Sequence, residues 1–175
     1  MSFEFVPVWN KVTPEIEAEL AEFWIKNKAM LKETRASERA KQVVCVARSE
    51  QGEIAGASTV YPCIVPLLRQ PMYYYRTYIA PAYRGKGLMI PLLQESKKAL
   101  QEYNLALPKP QCLGIMIELE NKRLAATFSA AHWPRTDFTF IGYSVHGLPL
   151  RVWYFEGVRL FAPHSLTKAE TVGGG

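Results

Sequence analysis

The sequence is poor in cysteine, with Cys45, Cys63 and Cys112 alone among 175 residues. The number is odd, the three lie far apart, and each sits among apolar neighbours. That pattern argues against a disulfide framework or a metal site, and it predicts reduced core thiols. No apolar run reaches the length of a membrane span. The opening MSFEFVPVWNKVTPE has no basic segment leading into an apolar one, so no secretory signal is read and a cytoplasmic protein is expected. Repeats, low-complexity tracts and linkers are missing too. One domain is therefore expected over residues 1–160, with a flexible tail over 161–175 that is clearest in TKAETVGGG. Nor is there a basic stripe interleaved with aromatic residues, which speaks against nucleic acid as a partner. The net charge of +5 permits an anionic partner, such as a nucleotide or a phosphorylated cofactor, without demanding one.

What is there is an ordinary globular composition, 49% hydrophobic and 21% charged. FEFVPVW reads as a first strand. Thr13, Pro14, Glu15 and Glu17 make a helix start, with a capping hydroxyl, proline at the first position and acids at the positive end of the dipole. Ile16, Leu20, Phe23 and Trp24 give this helix one apolar face. A weaker helix is expected over 28–41. VVCVA and IAGASTVY flank the turn SEQGE as a hairpin, and residues 62–71 read as a proline-bearing loop. MYYYRTYIA is a long aromatic strand, followed by a helix over about 88–103. CLGIMIELE is apolar enough for a central strand, residues 121–131 for an alanine-rich helix, and TDFTFIGYSV with LPLRVWYFEG for a closing hairpin. The mixture implies an α/β domain with a mixed sheet.

The stretch TYIAPAYRGKGLMIPLL (77–93) carries the chemistry. A strand that feeds a helix through a glycine turn aims unpaired helix N–H groups beyond the strand end. Gly85 and Gly87 allow close approach of a ligand to the backbone, and Arg84 and Lys86 add positive charge. The residues read either as an anion site for a phosphorylated ligand or as a plain basic surface turn. A Walker A loop would need Ser or Thr after Gly-Lys, and Gly87 stands there. A dinucleotide fingerprint would need a third glycine at Ile90.

Arg84-Gly85-Lys86-Gly87-Leu88-Met89 resembles the signature of the GNAT superfamily of acyl-CoA-dependent N-acetyltransferases. That signature is Arg or Gln, two free positions, Gly, one free position, then Gly or Ala. The element order is similar to the family's across most of the chain. The resemblance implies a GNAT-like α/β fold, with a mixed, mostly antiparallel central sheet flanked by helices and splayed parallel strands forming an acyl-CoA cleft. It implies acetyl-CoA as acyl donor and an amine, small-molecule or peptide, as acceptor, with no nucleic acid or membrane partner; a homodimer is left open. By position, the backbone of Arg84, Gly85, Lys86, Gly87, Leu88 and Met89 would cradle the pyrophosphate. Tyr78, Ile79 and Ala80 would pair with the pantetheine amides, and Asn121 would contact the pantetheine arm. Lys122 and Arg123 would either reach the nucleotide phosphates or simply stand in solvent.

The sequence departs from the family pattern at three points. The last small residue of the signature is Met89. Pro91 falls at about the fourth helical position, where a missing N–H would remove an early helix bond. Phe128 stands where many members place the tyrosine that protonates the leaving CoA thiolate, which leaves room for a second reading: an acyl-CoA-binding protein with weak or no catalysis. An acceptor amine with a pKa of about 10.4 still needs a base or a desolvating pocket. Some relatives place a glutamate where Tyr73 stands. Glu118 and Glu120, on one strand face, are the candidate bases, with solvated carboxylates as the alternative. His132 is a third titratable candidate, or else a histidine satisfying carbonyls at a helix end. Tyr73, Tyr74, Tyr75 and Tyr78 line an acceptor pocket or belong to the core.

Overall fold

The structure is a computed structural model, and it describes residues 1–30 and 32–164. Of the expected tail over 161–175, residues 165–175 lie outside them. The strands are β1 (Phe3–Pro7), β2 (Val43–Ser49), β3 (Ile54–Val65), β4 (Gln70–Ile79), β5 (Gly114–Glu118), β6 (His132–Trp133), β7 (Phe138–Tyr143) and β8 (Pro149–Tyr154). The α-helices are α1 (Pro14–Lys26), α2 (Glu33–Ala40), α3 (Met89–Ala106) and α4 (Lys122–Thr127). Among the described residues the strands form one sheet in the order β1-β2-β3-β4-β5-β8-β7-β6. β4 and β5 pair in parallel, Tyr73 to Ile115 through Tyr75 to Ile117, and the pairs β1–β2, β2–β3, β5–β8, β7–β8 and β6–β7 are antiparallel. This is the mixed, mostly antiparallel sheet expected. The chain clusters into two compact units, one of Met1–Val60 with Arg76–Leu100, the other of Tyr61–Tyr75 with the chain from Gln101 on. Among the described residues, no helix is long and apolar enough to cross a membrane.

In the first unit the Thr13 hydroxyl accepts from Ile16 N at 3.3 Å, and Pro14 opens α1. Leu20, Phe23 and Trp24 then pack on Val43, Val46 and Ala57. On the other face of β2, Cys45 and Ala47 meet Leu92 of α3 together with Phe5 and Ile79. Burial on both faces is why VVCVA is apolar throughout rather than alternating. Arg48 of β2 holds Glu19 of α1 by two hydrogen bonds, 2.6 and 2.8 Å. The second helix is shorter than the expected 28–41. Lys28 sits at φ 56°, and Ala29 N returns to Trp24 O, so α1 is closed off before α2 begins.

In the second unit the expected loop over 62–71 is mostly strand. β3 runs through Pro62 to Val65 and β4 starts at Gln70, leaving a tight turn in which Arg69 has φ 52°. Proline is compatible with a strand wherever its nitrogen is not needed by a ladder, and Pro71 still accepts from Leu113 N. Tyr73 is fully buried: its hydroxyl donates to Gln111 Oε1 at 2.6 Å and accepts from Asn104 Nδ2. Asn104 Oδ1 in turn accepts from the N–H groups of Gln111 and Cys112. Tyr73 is thus part of a core knot, and burial pushes its phenol well above the usual range. Phe161 is tied to Gln70 in both directions and His164 N donates to Arg69 O, so the region expected to be a tail begins with an anchored segment.

Candidate functional site

The basic corner is built by the end of β4, a 3-10 turn at Pro81–Tyr83, and the start of α3. Its supports are apolar and local. The Tyr78 ring meets Phe23 edge-on at 5.7 Å while its hydroxyl donates to Asn27 O. Ile79 lies against Leu92, and Ala80 N donates to Ala55 O. Tyr83 reaches Phe3 and Glu53. Leu88, 3% exposed, pins the last residue before the helix. Between these anchors Arg84, Gly85, Lys86 and Gly87 are all exposed.

Gly85 and Gly87 have φ of 75° and 77°, and a Cβ at either would meet no atom within 4 Å. The positive φ explains glycine at both positions, and the open space lets a ligand come up to the backbone. α3 begins at Met89, one residue later than expected, and Leu92 N makes the bond back to Leu88 O. Pro91 is therefore the third helical residue. Contrary to the expectation above, its missing N–H costs no intrahelical bond, because the first four N–H groups of a helix have no partner within it. Proline only subtracts one donor there, leaving Leu88, Met89 and Ile90. Arg84 does not simply project: its Nε donates to Ile79 O at 3.1 Å, with the guanidinium 5.7 Å from the Tyr78 ring centre. The Ile79 carbonyl is already engaged by the chain itself.

In the second unit, Glu118 ends β5 half-buried and Glu120 is exposed beyond it. Tyr74 OH donates to Glu120 Oε1 at 3.5 Å. Tyr74 stacks on Tyr61 and packs with Met116 in the core, so it is not a free pocket wall. Asn121 caps α4, its Oδ1 accepting from Arg123 N and Leu124 N at 3.0 and 3.2 Å. The two donors of its amide nitrogen are not used by the cap.

α4 ends at Thr127 instead of running to residue 131. His132 accordingly is not at a helix end: it lies in β6 opposite Thr139. Its Nδ1 is 2.9 Å from Thr139 Oγ1, and its Nε2 is 3.6 Å from Asp137 Oδ1. The helix stops because the following residues wrap around Arg151. Arg151 Nη2 donates to Phe128 O and Ala130 O, and Trp133 Nε1 donates to the same Phe128 O. Arg151 is not among the candidate residues that the sequence suggests. The available signal was a charge in the middle of the apolar run LPLRVWYF. Cys45 and Cys112 are buried, as expected of core thiols, whereas Cys63 is only half-buried; burial pushes Cys45 up to about 12 and Cys63 up to about 11, and it raises Cys112 as well.

No protein-family model matches the sequence, and no curated protein matches it. Solved structures do match in fold. An acetyltransferase of the GNAT family from Streptococcus pneumoniae is 15% identical, with 87% of this chain and 99% of that chain covered, at a TM-score of 0.58. The ribosomal-protein-S5-alanine acetyltransferase from Vibrio fischeri is 11% identical over 91% of this chain and 96% of its own, at 0.59. A ribosomal L7/L12 alpha-N-protein acetyltransferase in complex with coenzyme A is 14% identical over 90% and 97%, also at 0.59. The chain has the GNAT superfamily fold.

Proposed function

We propose that the protein is an acyl-CoA-dependent N-acyltransferase that moves an acetyl or similar acyl group onto an amine by direct attack. The observation that carries this reading is the corner. Two left-handed glycines with open space above them lie between a strand end and the free N–H groups of Leu88, Met89 and Ile90, flanked by Arg84 and Lys86. That is a cradle for a pyrophosphate. Acetyl-CoA would supply the activated acyl group. The backbone of residues 84–89 would hold the diphosphate, and residues 78–80 would lie along the pantetheine. The Ile79 carbonyl would be open to a pantetheine amide only once released by Arg84 Nε. Glu118 or Glu120, with His132 as the alternative, takes the proton from the acceptor amine as its nitrogen bonds to the acyl carbon. The carbon–sulfur bond breaks as the new bond forms. Phe128 offers no proton to the departing sulfur; with a thiol pKa of about 8.5, water suffices at a lower rate.

A weakly catalytic acyl-CoA-binding protein is the second reading. It is favoured by the Phe128 ring, which packs edge-on against Trp133 with centres 6.0 Å apart. Calorimetry with CoA tests both readings, and an absence of heat at high micromolar protein and ligand would remove them together. Gly87→Trp should cost at least about tenfold in affinity, equivalent to about 1.4 kcal/mol, with the fold intact. Thiol release with a panel of primary amines then separates enzyme from binder.

A further inference from the structure

Arg151 lies in the middle of β8, paired with Ile117 of β5 and Phe140 of β7, and is 3% exposed. A buried guanidinium is ordinarily matched by a carboxylate. Among the described residues none stands within ion-pair distance of it. Its partners are main-chain carbonyls just past α4. Nη2 donates to Phe128 O at 3.1 Å and to Ala130 O at 3.0 Å, and Nε donates to Ala130 O at 3.3 Å. The guanidinium carbon sits 4.5 Å from the centre of the Trp133 ring, and Trp133 shares the Phe128 carbonyl through its own N–H. Nη1 is shut from solvent with no hydrogen-bond partner, and burial lowers the pKa of the group.

Such an arrangement is a poor way to gain stability. An apolar side chain of similar volume would avoid the desolvation of the charge and the orphaned N–H groups. What the guanidinium does supply is shape. A planar fork can hold carbonyls two residues apart and fix the turn between them. That turn joins Phe128 to His132. We infer that Arg151 is a positioning residue, which sets the geometry of the segment from Phe128 to Trp133 for the acyl-transfer step. The inference rests on the acyl-transfer reading above.

The test uses the full chain with acetyl-CoA, a panel of primary amines and a thiol dye. Arg151→Lys keeps the charge but loses the fork; Arg151→Met keeps the bulk and loses both. Both variants should lower kcat by roughly 10- to 100-fold, the scale of a small misplacement at a reacting centre. KM for acetyl-CoA should stay unchanged, and the melting temperature of Arg151→Met should equal or exceed that of the wild type. If Arg151→Met does not fold, Arg151→Lys decides. A wild-type kcat in the folded variants overturns the inference, as does a loss of kcat that merely follows a lowered melting temperature and a raised KM. A wild type that binds CoA yet releases no thiol with any amine also overturns it, because no step is left to position. A wild type that does not bind CoA removes the acyl-transfer reading itself, and the inference with it.

Discussion

On the acyl-transfer proposal, a single hydroxyl separates Phe128 from the tyrosine that the resemblance to GNAT proteins implies at this position. Its main chain is firmly held, with N bonded to Leu124 O and the carbonyl shared by Arg151 and Trp133. An added hydroxyl would therefore be presented from a fixed backbone. Phe128→Tyr should raise kcat for thiol release, by at most about the 10²–10⁴-fold of a general acid, with CoA affinity unchanged in calorimetry. An unchanged kcat would mean that proton delivery to sulfur does not limit the reaction. At the corner, Gly85 and Gly87 were legible because positive φ is a property glycine announces. The bond from Arg84 to Ile79 O was not legible, because a flexible side chain selects its partner only once the turn has folded.

The elements whose ends are written in local chemistry were read closely. α1, with its Thr13 cap and Pro14, is the clearest case. The elements that were misjudged end for tertiary reasons: α4 stops where Arg151 gathers carbonyls, and β3 runs on past Pro62 because the neighbouring strand is there to receive it. Glu118 ends β5 while Glu120 falls beyond the strand instead of inside it, and the surroundings of both were beyond a pattern argument. The tie between α1 and β2 lends itself to a pH experiment. The Arg48 side chain beside Glu19 holds the carboxyl below its usual 4.5. A depressed folded-state pKa stabilises above the unfolded pKa, and that stability is lost as pH falls through the folded value. With 23% and 40% of the two side chains exposed, the pair is screened and contributes about 0.5–1 kcal/mol. Glu19→Gln should unfold at lower denaturant than the wild type at pH 7, and the gap should close as pH drops below about 4.5. A gap that persists in acid would assign the effect to packing instead.

At the scale of the molecule the charge of +5 and the exposed Arg84 and Lys86 act together on any polyanion. CoA affinity should weaken as ionic strength rises, since the Debye length shrinks from about 10 Å at 0.1 M to 3 Å at 1 M. Lys86→Gln should flatten that slope without abolishing binding; an affinity indifferent to salt would argue that the corner does not hold phosphates. The other long-distance feature is the bond between Gln70 and Phe161. Gln70 is 5% exposed, and its amide offers the donor and acceptor that a neighbouring strand would offer, meeting the Phe161 carbonyl and N–H. The side chain thus acts as a one-residue piece of sheet, and this sets how far the chain can be cut back before that closure is lost. A chain cut after Leu160 would strip both partners from a sequestered amide, whereas one cut after His164 would keep the closure intact.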